Sequence, residues 1–160
     1  MVMHELPPVY DEQSKVLILG SFPSPKSRET GFYYGHPQNR FWKVLSAVFD
    51  EKTPETIDEK QTFLRAHSIA LWDVIASCEI KGAGDSTIKN ALPNDFSVIF
   101  SAAKIKAVFT TGQTAAKLYK KFTGNDSVVL PSPSPANCAL STADLVRKYE
   151  IIKRVLTEEK

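Results

Sequence analysis

The feature that most restricts how this chain can fold is a fourfold alternation. Four short apolar runs, Val16-Leu17-Ile18-Leu19, Ile69-Ala70-Leu71-Trp72, Ala107-Val108-Phe109-Thr110 and Val128-Val129-Leu130, are separated by segments with helical spacing. Brief continuous apolar runs bounded by turn residues fit strands buried on both faces, as in parallel sheets. Between them, Phe41, Val44, Leu45 and Val48 share one helical face from a start near Asn39. Ile57–Ala66 turns Phe63 and Leu64 inward, Phe96, Ile99 and Phe100 suggest a short helix, and Gly112 opens a helix that reaches about Phe122. Ser141 or Thr142 caps a last helix, with Asp144 in its first turn and Leu145, Ile152 and Leu156 as core contacts. Strand and helix in repeated succession predict a three-layer α/β/α fold around a central parallel sheet of about four strands. With 160 residues and neither linker nor internal repeat, residues 1–160 are expected to form a single domain.

In a sheet of this kind ligands bind beyond the carboxyl ends of the strands. The loops after the strands that begin at Val16, Ile69 and Val128 are therefore where chemistry is expected. Residues 21–38 are rich in proline, serine, glycine and aromatic residues and read as one long loop. A compact domain seldom keeps such a loop without a functional reason. Residues 76–94, with Gly82, Gly84 and Pro93 and little periodicity, read as a second. The alternating Pro131-Ser132-Pro133-Ser134-Pro135 stops the last strand and makes a stiff third.

Composition removes several function classes. The net charge of +2 permits a polyanionic partner without demanding one. The two cysteines, Cys78 and Cys138, form no C-x-x-C pair, so the chain alone builds neither a cysteine zinc site nor a four-cysteine iron–sulfur cluster. Reduced thiols in a cytosolic protein follow. No apolar run approaches the ~20 residues that span a bilayer. Residues 1–15, with two prolines and three acids, resemble neither a signal nor a transit peptide. No G-x-x-x-x-G-K-[ST] phosphate loop is present.

The first loop opens Gly20-Ser21-Phe22-Pro23-Ser24-Pro25 and continues Gly31-Phe32-Tyr33-Tyr34-Gly35-His36-Pro37-Gln38-Asn39-Arg40-Phe41-Trp42. Over residues 20–42 it resembles, without a gap, motif 1 of the mismatch-specific branch of the uracil-DNA glycosylases, a G-x-N-P-G turn with a downstream H-P-x-N-R-F-W. Ser132-Pro133-Ser134-Pro135-Ala136-Asn137 is similar to that superfamily's H-P-S-P-L-S motif 2 and likewise follows the last strand. Together the two loops resemble most closely the hypoxanthine-DNA glycosylase subgroup. The resemblance implies a monofunctional glycosylase of base excision repair that cleaves the N-glycosidic bond of a flipped, deaminated base, hypoxanthine, and leaves an abasic site.

Departures from the pattern sharpen this. Where the mismatch-specific enzymes position water with an asparagine of the first turn, this chain has Phe22; where motif 2 carries a histidine and a wedge leucine, it has Ser132 and Ala136. Asn39 is the substitute that the subgroup implies: its amide aims a water at the anomeric carbon, or grips the base. From the residues alone, capping the next helix is an equal reading, and both roles can coexist. An oxocarbenium-like transition state needs a placed water more than a strong base. Tyr34 aligns with the aromatic residue that stacks on the base. Phe22, Gly20 and Ser21 complete the expected base-binding set. Ser132, Ser134, Pro135, Ala136 and Asn137, with Ser24 and Ser86, are expected against DNA, where hydroxyls and turn amides hold phosphates. His36 is expected to tie down its loop, and Arg40 to meet a phosphate or an acid. No lysine sits in either motif in a nucleophile's place, so no Schiff base and no lyase step are expected.

The expected partner is DNA with a damaged base, handled by a monomer in a prokaryotic cell interior, with no metal, cofactor or membrane. Two other readings remain: a uracil or mismatch glycosylase with a relocated asparagine, and a non-catalytic α/β domain that binds nucleic acid.

Overall fold

The computed structural model describes residues 1–81 and 84–158; Gly82, part of the expected second loop, lies outside them. The four expected strands are present as β2 (Val16–Gly20), β3 (Ile69–Asp73), β6 (Ala107–Thr111) and β7 (Val128–Leu130). They form one parallel sheet in the order β3-β2-β6-β7, with Val16 opposite both Ile69 and Ala107. Every residue of β2 and of β3 is buried, which requires helical layers on both faces. Each fully buried Val, Leu or Ile contributes about 1.5–3 kcal/mol of transfer free energy. Flanking this sheet are α2 (Phe41–Val48), α3 (Ile57–Ala66), α5 (Gln113–Thr123) and α6 (Thr142–Thr157). Helix α6 packs on α2 and rests on β2, α3 lies on β3, and α5 covers β6 and β7. The start of α6 follows its capping box: Ser141 Oγ accepts the Asp144 N–H, and the Asp144 carboxylate accepts the Ser141 N–H.

Three segments depart from the sequence reading. Residues 76–94 are not a loop: β4 (Ile75–Glu79) and β5 (Lys89–Pro93) pair antiparallel, and β1 (Val2–Met3) adds to β4, giving a second sheet in the order β1-β4-β5. The pairing carries register irregularities, and β5 is mostly exposed and ends in Pro93, as an edge strand can. Its existence depends on partners far away in sequence, so no local period announces it. Residues 21–38 hold the helix α1 (Pro25–Thr30). Ser24 caps it, proline occupies its first turn, and Gly31 ends it at φ 86°, a left-handed conformation that glycine adopts without strain. The next helix begins at Phe41 rather than Asn39. A short α4 (Ser97–Phe100) matches its expectation. The N-terminal segment is tied in as well, because Val9 bridges Leu71 antiparallel at the edge of the main sheet.

Candidate active site

The carboxyl ends of β2, β3 and β6 are Gly20, Asp73 and Thr111, and all three border a cavity of about 710 Å³. The first loop and residues 132–137 form its other walls, and every candidate site residue of the sequence reading lines it. Position 20 is the geometric centre. A Cβ there would stand 2.6 Å from Asp73 Oδ1, 3.1 Å from the Tyr34 hydroxyl and 3.5 Å from Thr111 Oγ1. Three polar groups from separate elements therefore converge over a backbone that has to be glycine.

Asp73 is buried, and its Oδ2 is hydrogen-bonded at 2.9 Å to Nε2 of His4, itself buried among the rings of Phe22, Tyr33 and Trp72. Among the described residues no other donor reaches the Asp73 carboxylate, which leaves Oδ1 as an acceptor for whatever enters the cavity. Tyr34 and Thr111 share a 3.0 Å hydroxyl bond. The Tyr34 ring stacks on Phe41 at 3.9 Å between centroids and 11° between planes. One face is thereby taken, and the residue lines the cavity. Tyr34 also sits at φ 53°, which a bulky side chain occupies only when its surroundings hold it there; the stack and the Thr111 bond do so. Burial, with the charge of Asp73 adding to it, holds the Tyr34 hydroxyl well above its ordinary pKa, so it stays protonated.

Ser21 lies on the next residue of the turn, and its Oγ donates to Asp85 Oδ1 at 2.8 Å. Asp85 begins the 3-10 turn Asp85–Thr87. As a residue it is exposed, yet its carboxyl is raised from its ordinary value by desolvation and, further, by Asp73, against the pull of the Ser21 bond. Phe22 is both buried core and cavity wall; the Arg28 guanidinium covers its ring at 5.7 Å.

Asn39 combines the two readings open to it. Its Oδ1 accepts the Phe41 N–H at 2.9 Å at the start of α2, and the residue lines the cavity. The carbonyl keeps a second lone pair and the amide nitrogen both hydrogens. His36 holds the same loop, since its Nδ1 accepts the Gln38 N–H at 3.1 Å and its carbonyl accepts the Asn39 N–H. Arg40 meets neither an acid nor a position free for phosphate. Its guanidinium donates to the carbonyls of Asn137 and Leu140 at 2.7 and 2.8 Å, and its backbone N–H to Pro133 O at 3.1 Å. A loop at residue 40 and a loop at residues 133–140 are thus locked together.

Within the second loop the serines cap successive turns. Ser132 Oγ accepts the Ser134 N–H, Ser134 Oγ accepts the Ala136 N–H, and the Asn137 amide donates to Ser132 O. Each serine is used as an acceptor there, so its own O–H is left to donate. Pro135 and Ala136 form the exposed tip. Ser24 and Ser86 lie at the rim, the first also as the cap of α1.

Sequence reasoning missed Asp73, Asp85, Thr111 and His4. An acid closing a buried parallel strand was a usable signal for Asp73, given where ligands bind in such sheets. The β6 end was left out of the expected strand ends although Thr111 stands there. Nothing local marks His4, which reaches Asp73 only because β1 pairs with β4. Among the described residues no group of three or more His, Cys, Asp or Glu is placed to hold a metal ion, and no helix is long and apolar enough to cross a membrane. Cys78 is buried and Cys138 exposed, both free.

Comparison with known proteins gives a consistent picture. The profile of the family described as "Uracil DNA glycosylase superfamily" matches residues 7–155. A protein of Methanosarcina acetivorans named "Hypoxanthine DNA glycosylase" is 34% identical over 141 residues, covering 86% of this chain and 89% of its own length. One of the same name from Methanosarcina barkeri is 33% identical over 135 residues, covering 82% and 85%. A solution NMR structure of a Methanosarcina acetivorans protein, provisionally described as a uracil DNA glycosylase, superposes with a TM-score of 0.78 at 30% identity. That superposition covers 96% of this chain and 99% of the other.

Proposed function

We infer the reaction from one premise, that the chain belongs to the uracil DNA glycosylase superfamily: it is a DNA glycosylase, and the base it releases is hypoxanthine. The observation that carries the substrate is the carboxylate oxygen Asp73 Oδ1 over Gly20, buried at the end of β3 and bordering the cavity. Hypoxanthine presents N1–H as a donor, which a carboxylate accepts. Adenine presents a lone pair at N1, which the same oxygen repels. A site built to bond a particular donor rejects the analogue that lacks it far more strongly than an apolar pocket can.

The base has to leave the helical stack before it reaches this depth. The serine hydroxyls of residues 132 and 134 and the tip at Pro135 and Ala136 hold the flanking backbone, with Ser24, Ser86 and Asn137 at the rim. Such contacts position DNA without reading its sequence. Tyr34 offers the free face of its ring to the flipped base, and Phe22, Gly20 and Ser21 close the space behind it. Asn39, fixed by its bond to the Phe41 N–H, aims a water at the anomeric carbon. The bond from that carbon to N9 breaks through an oxocarbenium-like state, and the water adds to the carbon. Among the described residues no lysine lines the cavity, so none of them places an amine to form an imine with the opened sugar, and the strand stays intact at an abasic site. One chain supplies all the walls, which supports a monomer working where cellular DNA lies.

The test uses end-labelled duplexes holding one hypoxanthine, uracil or xanthine, with alkali to reveal abasic sites, for wild type and Asn39→Ala. Hypoxanthine release that falls at least ~100-fold in the variant, ~2.7 kcal/mol in the barrier, is expected. Release of uracil in preference overturns the substrate, and release of no base overturns the enzyme.

A further inference from the structure

The cavity holds a second carboxyl that the reaction as described above does not use. Asp85 borders it, and its Oδ1 is fixed by the Ser21 hydroxyl at 2.8 Å. The turn that presents it is stitched at several points. Thr87 N–H and Oγ1 both donate to Gly84 O, the second at 2.6 Å, and the Lys81 N–H donates to Thr87 Oγ1 at 3.0 Å. A carboxyl held by its neighbour and mounted on a braced turn is placed rather than merely solvated. With Oδ1 engaged, Oδ2 remains for a ligand.

Two carboxyls facing one bound base cannot both act as charged acceptors toward hypoxanthine, which has one N–H on its pairing edge and acceptors at O6 and N7. Asp73 is the settled acceptor, since His4 holds its other oxygen. The remaining need is a donor at N7, because a purine protonated there leaves more readily. Position 132, where the resemblance leads one to look for a leaving-group donor, carries a serine, whose hydroxyl can donate a hydrogen bond but is far too weak an acid to give up its proton.

Resting on the reading of the protein as a hypoxanthine-releasing glycosylase, we propose that Asp85 is a second catalytic residue, the general acid that gives its proton to N7 of the departing purine. The Asp85 Oδ2–H bond breaks as N7–H forms. The N9–C1′ bond breaks with its electron pair passing into the purine ring. The water aimed by Asn39 bonds to C1′, and the proton it sheds returns through solvent to the Asp85 carboxylate. Hypoxanthine and the abasic sugar are then both neutral, and the enzyme is restored.

The surroundings raise the Asp85 carboxyl above its ordinary value. Ser21 from the first turn is bonded to it, and Asp73 from β3, Tyr34 from the loop before α2 and Cys78 from β4 interact with it through charge. Burial raises both Tyr34 and Cys78, so neither carries charge in the neutral range; Arg28 and the N-terminus act on Cys78 in the opposite direction. Desolvation and the charge of Asp73 raise the Asp85 carboxyl, and only the Ser21 bond lowers it. A general acid whose pKa is raised keeps its activity below that pKa and loses it as pH rises through it. Removing the Ser21 bond moves the loss to higher pH.

The experiment measures single-turnover release of hypoxanthine, and of its 7-deaza analogue, from otherwise identical duplexes between pH 4.5 and 9. The enzymes are wild type, Asp85→Asn and Ser21→Ala. Asp85→Asn is expected to lose about 100-fold at the low-pH plateau and to lose the alkaline limb. Ser21→Ala keeps the limb, displaced to higher pH. The preference for hypoxanthine over the analogue, large in wild type, shrinks in Asp85→Asn because N7 of hypoxanthine no longer has an acid to protonate it. An Asp85→Asn enzyme with the wild-type rate and limb overturns the proposal, as does one that loses rate while keeping the full preference. Wild type that releases no hypoxanthine at any pH overturns the glycosylase reading instead, so the two failures are separable.

Discussion

Gly20→Ala gives the most direct test of the convergence at the end of β2. The added Cβ would lie 2.6 Å from Asp73 Oδ1, and ordinary contact begins at 3.4 Å, so something has to move by about 0.8 Å. The carboxylate is not a floppy end that swings away: Asp73 is buried, and His4 holds its other oxygen. The Tyr34 hydroxyl, 3.1 Å from the same Cβ, is held by Thr111 and by the stack on Phe41. Overpacking of this kind costs about 1–3 kcal/mol of stability, or roughly 2–10 °C in Tm for a chain of this size. The protein therefore still folds at 25 °C. The activity cost is larger in proportion, because a displacement near 1 Å at a reacting site costs on the order of 100-fold, about 2.7 kcal/mol. Single-turnover release of hypoxanthine measures this, with Gly31→Ala as the control. Gly31 sits at φ 86° with nothing within 4 Å of its Cβ, so that variant loses about 1–2 kcal/mol of stability to backbone strain and keeps its rate. A Gly20→Ala enzyme as active as wild type would mean that Asp73, Tyr34 and Thr111 do not surround the base.

Three further outcomes are expected. His4→Ala strips the Asp73 carboxylate of its side-chain partner and lowers stability by about 1–3 kcal/mol, measured by urea unfolding, with His4→Gln recovering part of the loss. Arg40→Ala releases the two carbonyls of residues 137 and 140 and lowers kcat/KM about 10-fold or more, as residues 132–140 lose their register against α2; Arg40→Lys, lacking the fork, does not restore it. Excess chelator leaves hypoxanthine release unchanged, because the water proposed to be aimed by Asn39 needs no Lewis acid; a loss of activity reversed by a divalent cation would refute that.

The main sheet is plain in the sequence because each strand is buried on both faces and therefore apolar throughout. Val16–Gly20 and Ile69–Asp73 announce themselves without reference to any partner. The second sheet is silent for the opposite reason. Lys89–Pro93 is mostly exposed, takes its shape from Ile75–Glu79, and contains proline, a residue that ordinarily argues against a strand. The small helix at Pro25–Thr30 is missed by the sequence reading: Ser24 and Pro25 mark its start and Gly31 its end, but the surrounding prolines and aromatics look like loop. The same division runs through the site. The residues on the two motif loops are contiguous in sequence and carry a recognisable order. Asp73 and Asp85 are brought to the cavity by the topology of two different sheets. His4 arrives by a terminal strand of two residues.

A cavity walled by carboxyls sorts bases by the charge they carry away. Uracil departs with negative charge on its ring and carbonyl oxygens, and a carboxylate at Asp73 bordering the cavity raises that barrier. A neutral donor such as a histidine lowers it, and here Ser132 stands where the resemblance places that histidine. A purine has another route, because a proton at N7 lets it leave neutral. Asp85, raised by burial and by Asp73, is the group able to supply that proton. In the proposed reaction the two acids are thus not interchangeable: Asp73 accepts N1–H, and its charge adds to the desolvation that raises the Asp85 carboxyl. Asp73→Asn should then do two things at once. It removes the acceptor for N1–H, lowering hypoxanthine release. It also removes the charge that raises Asp85, so the alkaline limb of the remaining activity moves to lower pH. A variant that weakens release without moving the limb would separate the two carboxyls and leave Asp73 as a base contact alone.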